Sequence, residues 1–273
     1  MTTKTKIAIS AAVTSLLMVV GAGCTQLKAR DRVNKGVHAF KAAKYAEAVD
    51  HFQAATEIDP TFDTARLYLA TAYYQQYIPG AESPENLAMA SKARDEYNKV
   101  LEKDPKNALA LASIASLFFH QKKWDEAEQW NKRLIEADAK NKEGHYTLGV
   151  IAWTRSFSKR MEARAKLGMK PEDPGPVKDA KVRAELRAEL LPMVDSGIEH
   201  LQQALGIDPE YDDAMAYMNL LHRERADMQN DVAEYKKDVA AADDWVEKTM
   251  EVKKVKQERA AKAQPGGIVR ESN

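Results

Sequence analysis

The most distinctive residue for chemistry in this 273-residue chain is Cys24, a nucleophilic thiol and its only cysteine. One thiol forms no intrachain disulfide and no cysteine-based zinc cluster. The six histidines, His38, His51, His120, His145, His200 and His222, are scattered, with no i,i+4 pair among them, so they lack the spacing of a helical metal site. The sequence has no glycine-rich phosphate loop followed by lysine, no GxSxG elbow and no HExxH pair. Phosphoryl-transfer, hydrolase and zinc-protease chemistries therefore lack their minimum parts, and the sequence predicts neither an enzyme nor a cofactor or metal. Between 151 and 190, however, stand ten basic and six acidic side chains. Arg160, Arg164, Lys181 and Arg187 form a candidate basic docking arm for an acidic partner or an anionic lipid surface. A charged, solvated hairpin is the alternative.

These residues must be placed by the chain around them. Apolar residues make up 44% and charged residues 30%, with 12 Gly and 10 Pro, which excludes collagen-like, proline-rich and polytopic membrane classes. Basic and acidic side chains number 41 each, so no global basic excess points to nucleic acid. Residues 1–23 stand apart. Lys4 and Lys6 precede an apolar run from Ile7 to Val20, and Gly21, Ala22 and Gly23 lead to Cys24. That run is too short to span a bilayer and has the layout of an export signal.

The order of basic start, apolar run, small residues and cysteine resembles a bacterial lipoprotein signal. The resemblance implies that 1–23 is removed, that Cys24 is lipidated, and that 24–28 is a tether. Thr25 in second place implies sorting to the outer membrane, facing the periplasm. The alternative is an ordinary secretory signal cleaved near Ala22 or Gly23.

The rest of the chain repeats itself. Gly36, Ala70, Ala115 and Gly149, and less well Asn219, begin a pattern that continues through Ala48, Ala93, Ala127 and Gly197 to Pro60, Pro105, Ala139 and Pro209. Each Asp-Pro pair closes an apolar 3.6-period run, as proline requires of the residue before it. The segments VNKGVHAFKAAKYAEAVDHFQAATEIDP and ALASIASLFFHQKKWDEAEQWNKRLIEADAKN resemble the tetratricopeptide repeat, in which small residues at the eighth and twentieth positions let two helices cross closely. The resemblance implies an all-α solenoid of four to five helix pairs over 29–228.

Ala48, Ala93, Ala127 and Gly197 are spaced by 45, 34 and 70 residues, so two insertions interrupt the array. The first, near 77–88, contains Pro79-Gly80 and Ser83-Pro84 and reads as an exposed loop. The second, near 155–190, reads as an extended helical hairpin turning at 171–176 and reaching beyond the array. From Met228 a stripe of Val232, Tyr235, Val239, Ala242, Val246 and Met250 predicts a long capping helix over 229–262, and 263–273 reads as a disordered tail.

By resemblance, a concave face would be lined by Val33, Val37, Phe40, Leu67, Thr71, Tyr74, Ala112, Ser116, Phe119, Tyr146, Val150 and Trp153. None is a cation that could clamp a carboxylate. Phe40, Tyr74, Phe119 and Trp153 share the twelfth position, so they make either an aromatic floor for an apolar segment or packing between units. The resemblances together imply a lipid-anchored scaffold whose partners are other envelope proteins or peptides, in assembly, pilus or secretion machinery. The alternative is a secreted, unanchored repeat protein that binds a soluble peptide or regulates an envelope enzyme.

Overall fold

The computed structural model describes residues 25–263. The expected leader over 1–23, Cys24 and the residues from 264 lie outside the described residues. Every regular element among them is a helix: α1 (25–41), α2 (Tyr45–Ile58), α3 (Asp63–Gln76), α4 (Pro84–Lys103), α5 (Ala108–His120), α6 (Trp124–Ala137), α7 (Lys142–Lys166), α8 (Ala180–Ile207), α9 (Asp212–Asp227) and α10 (Val232–Ala263). None of these is both long and apolar enough to cross a membrane. The chain divides into two compact units after Trp130, within α6.

The repeat register is written in the turns. α1 and α5 both end in a left-handed residue, Ala43 (φ 57°) and Lys122 (φ 57°). In each, two backbone bonds close the turn in the same way: Lys44 N–H to Ala39 O and Ala43 N–H to Phe40 O, then Lys123 N–H to Phe118 O and Lys122 N–H to Phe119 O. This is the paired-bond C-cap that satisfies the last carbonyls of a helix. The return turns recur too. Asp59, Asp104, Asp138 and Asp208 each follow a helix, and each accepts the N–H two residues on through Oδ1, at 3.0 to 3.3 Å. Local aspartate bonding of this kind competes with continued helix, and it ends Ala137 as firmly as the three helices that proline also stops.

Small residues sit where the helices cross. A β-carbon on Gly36 would lie 2.5 Å from the Phe52 ring, and one on Gly149 2.5 Å from Leu201 Cγ. The first unit's core is built from Val33, Ala39, Ala48, Val49, Phe52 and neighbours on α1 to α3. The second unit's core draws on Leu186, Leu190, Val194, Ile198 and Leu201 of α8 with Met218 and Leu221 of α9.

Both insertions differ from expectation. Only 77–83 is loop; Pro84–Ala88 are helical because Ser83 Oγ caps α4 by accepting from Asn86 N–H at 3.2 Å, with proline in the first turn. That loop is not simply exposed. Asn86, buried, accepts from Ile78 N–H and donates to Ile78 O and Ala81 O, and Tyr77 is buried beneath it. In the second insertion α7 and α8 do lengthen, and α7 runs through to a glycine C-cap at Gly168 (φ 66°). The connector 167–179 nevertheless folds back. Met169 and Val177 are buried, and Val177 N–H donates to Asp227 O at the end of α9.

The last helix is rotated from its expected face. Val232, Val246 and Met250 are exposed, whereas Asp238, Ala242 and Thr249 are buried, with Trp245 half-buried between them. The seam toward α9 is therefore Tyr235, Asp238, Ala242, Trp245 and Thr249, at alternating spacings of three and four. Its polar members are satisfied: Asp238 accepts from Arg225 and Gln229, and Thr249 Oγ1 donates to Trp245 O. Hydrogen-bonded polar groups can occupy buried positions that an apolar pattern does not reveal.

Candidate functional site

In the first unit the expected groove residues lie on the first helices of their repeats, and all but Val33 are half-buried. Their side chains are tied together. Thr71 Oγ1 donates to Leu67 O and accepts from Tyr97 O–H at 3.2 Å, while Tyr74 O–H and Ser116 Oγ meet at 2.8 Å. Phe40 stacks edge-on against Tyr45 at 5.2 Å and Phe119 against Trp124 at 5.4 Å. In these two repeats the twelfth-position ring thus packs on the aromatic ring that opens the second helix. Val37, Leu67 and Ala112 are the half-buried aliphatic neighbours of this row.

The second unit concentrates its aromatics. Five rings follow in contact: Tyr211 to Tyr146 (5.0 Å), Tyr146 to Tyr217 (5.6 Å), Tyr217 to Trp153 (5.5 Å) and Trp153 to Phe157 (5.1 Å). Val150 is buried beside them. None of the five rings is buried, and Phe157 is 38% exposed. Rings held this way present apolar area already ordered by their neighbours. Lys142 lies over Tyr211 at 4.8 Å and the Arg160 guanidinium over Phe157 at 5.5 Å. Burial raises the Tyr146 phenol above its ordinary range, and it does the same to Tyr211, whose hydroxyl also donates to Glu143. Both phenols therefore stay protonated donors. Tyr211 and Tyr217 were missed in the sequence because their helix lacks a clear small residue at the eighth position.

The proposed docking arm is corrected by its partners. Arg164, 1% exposed, donates through Nη1 to both oxygens of Asp227 at 2.9 and 3.0 Å, and through Nη2 to Lys170 O and Asp173 O. Arg160, also buried, grips Glu224 with Nε and Nη2 at 2.7 and 2.8 Å and reaches Asp227 with Nη1. Arg187 donates to Met228 O and to Gln229 Oε1. Of the four arm cations only Lys181 is exposed. The other three are internal ties between α7, α8 and the α9 corner, so the hairpin is a clasped part of the second unit.

The clasp has a strict geometry. Desolvation works against the Arg160 charge, but Glu224 and Asp227 more than offset it and hold the guanidinium above its ordinary value. Burial pushes the Glu224 carboxyl up, with Arg160 pulling against it. Gly175 lies so close that a β-carbon there would run into Asp227 Oδ1 and the Tyr235 ring, and its N–H donates to the Tyr235 hydroxyl at 3.1 Å. Beside this cluster, burial would raise Asp238, yet hydrogen bonds from its neighbours, His222, Arg225 and Gln229, bring it down to about 2. At the other end of α7, two histidines that sequence spacing keeps apart also meet: His145 Nδ1 and His200 Nδ1 are 3.1 Å apart across α7 and α8. No group of three or more His, Cys, Asp or Glu able to hold a metal occurs among the described residues.

Segments 33–78 and 90–142 match the tetratricopeptide repeat family model. The repeats of these two segments are of the tetratricopeptide type. Its fold is similar to that of the MamA protein, at 14% identity, TM-score 0.55, 88% of this chain and 98% of that one. It is also similar to MamA 41-end from Desulfovibrio magneticus RS-1, at 16% identity and TM-score 0.55, covering 84% and 96%. A third likeness is to YrrB, described as a TPR protein with an unusual peptide-binding site, at 13% identity and TM-score 0.51, covering 81% and 84%. No curated protein matches the sequence. At these identities the likeness establishes the TPR-type helical solenoid fold.

Proposed function

We propose that this TPR protein is an interaction scaffold, held to the bacterial envelope by lipid on Cys24, that binds partner proteins or peptides through the aromatic row of its second unit. The observation that carries the binding role is the five-ring row itself. Its rings are fixed by one another, so contact with a partner costs little ordering entropy, and aromatics of this kind dominate the energetics of protein interfaces. YrrB's described peptide-binding site is in keeping with this use of the fold. The anchor rests on the sequence Gly21-Ala22-Gly23-Cys24, and with it the assignment to an outer membrane facing the periplasm.

Affinity purification with crosslinking from detergent-solubilised envelope tests the binding role. Phe157→Ser, at a ring 38% exposed, is expected to cost the fold no more than about 1–2 kcal/mol and to lose partner capture. Unchanged capture by both Phe157→Ser and Tyr217→Ser would refute the assignment to this row.

A further inference from the structure

The charge of this chain is unevenly spread. Residues 25–44 carry six basic side chains, Lys28, Arg30, Arg32, Lys35, Lys41 and Lys44, against one acidic, Asp31. From 45 to 273 the balance reverses, with 33 basic and 40 acidic. All seven of those N-terminal charged groups are exposed, while Ala29, Val33, Gly36 and Ala39 turn the other face of α1 into the core. Asp31 is bonded to Lys35 at 2.8 Å and Lys44 pairs with Glu47. Lys28, Arg30, Arg32 and Lys41 make no ion pair among the described residues. The basic end of α10 differs, because Lys256 and Arg259 are neutralised by Asp212 and Glu210.

An apolar element sits within this basic surface. Leu27, 71% exposed, lines with Ile58 a shallow cleft of about 420 Å³ bordered by Lys28, Arg32 and Lys35 and by one acid, Asp31, which Lys35 pairs. Basic side chains around an exposed leucine on one helix are the composition of a helix that lies in a headgroup layer.

We infer that the outer face of α1 docks on an anionic phospholipid surface, with Leu27 entering the headgroup region and Lys28, Arg30 and Arg32 meeting lipid phosphates. The inference deepens the anchored reading and rests on it for orientation, since the described part of α1 reaches the residue after Cys24. One lipid attachment fixes a protein's distance from the bilayer; a basic face beside it also fixes which side of the protein faces the bilayer. The rest of the chain, with its acidic excess, adds no net attraction to the same surface.

Co-sedimentation of the mature chain, 24–273, carrying Cys24→Ser, with phosphatidylcholine vesicles with and without phosphatidylglycerol, tests this without any acyl chain. Each basic group near an anionic surface strengthens binding by roughly fivefold. Binding is expected only to the anionic vesicles and is expected to fade in high salt, where exposed charges are screened. The triple variant Lys28→Gln, Arg30→Gln, Arg32→Gln is expected to bind at least about tenfold more weakly, and Leu27→Ser more weakly than wild type, both with an unchanged melting curve. Equal binding to neutral and anionic vesicles, or a triple variant that binds as wild type does, overturns the inference. The mass of the mature protein from cells reports separately on the anchor. Unmodified Cys24 with charge-dependent vesicle binding refutes the anchor and supports the helix surface, whereas acylated Cys24 without charge dependence overturns the helix surface alone.

Discussion

Ala43 and Lys122 occupy backbone that glycine takes far more readily, because the β-carbon of any other residue crowds the neighbouring carbonyl at a cost of roughly 1–2 kcal/mol. Both sit at the same place in their repeats and close the same pair of backbone bonds. Glycine also loses more chain entropy on folding, by about 0.4–1 kcal/mol, so the two effects oppose. The strain is the larger, and Lys122→Gly is expected to stabilise the protein by about 0.5–1 kcal/mol in urea unfolding; Lys122 is exposed and forms no ion pair among the described residues. Gly149→Ala should act in the opposite direction. Its new β-carbon would meet Leu201 Cγ at 2.5 Å on a fully buried side chain, and overpacking of this kind costs about 1–3 kcal/mol. A Gly149→Ala variant as stable as wild type would mean that α7 and α8 can separate at that crossing.

The helices themselves were legible where local chemistry decides them. Asp-Pro stops, small crossing residues and the 34-residue register are short-range signals, and the structure places α2, α4 and α8 to end where they say. What could not be read is pairing between distant residues. Arg160 and Arg164 lie one turn apart, as do Glu224 and Asp227, and each pair alone looks like a solvated helix face. Their meeting joins residues more than sixty apart, which no charge count detects. The same applies to Asp238, a polar residue inside the seam of α10, and to the His145–His200 contact. Breaking the clasp tests its weight. Arg164→Met leaves Asp227 with one cation fewer and the Lys170 and Asp173 carbonyls without their donor, and loss of one partner from a buried ion pair typically costs about 3–5 kcal/mol. Thermal unfolding of the second unit should show a loss of that size, and a loss below about 1 kcal/mol would mark the clasp as solvated. Acid should reveal Asp238 separately. Its carboxyl is held near 2 when folded, against about 3.9 unfolded, so its stabilisation is complete above the unfolded value and disappears as pH falls from about 4 to 2. The expected contribution is about 1–2 kcal/mol after allowance for solvent screening. Asp238→Asn should flatten the stability curve in that window; an unchanged acid slope would show that the carboxylate is not held charged.

Across the second unit, the clasp and the last helix answer whether α10 is a permanent part of the fold or a detachable guard over the aromatic row. A guard would lay apolar side chains on the row and leave few specific bonds when displaced. The structure shows the reverse arrangement. Stacked partners of Tyr146, Trp153 and Tyr217 are one another, Tyr211 and Phe157, all on α7, α9 or the turn before α9. Trp245 of α10 packs on the core of the unit and stacks on none of these rings. Meanwhile α10 is bonded along its length: Tyr235 to Gly175 N–H, Asp238 to Arg225, Asp243 to Arg223, Lys256 to Asp212 and Arg259 to Glu210. Removing it would leave Arg225 without its main counter-ion and strip Trp245 from the apolar core of the unit. Truncation after Asp231 is therefore expected to give an insoluble or non-cooperatively melting second unit, with no gain in partner capture. Soluble truncated protein that binds partners more tightly would reverse the assignment and make α10 a displaceable guard.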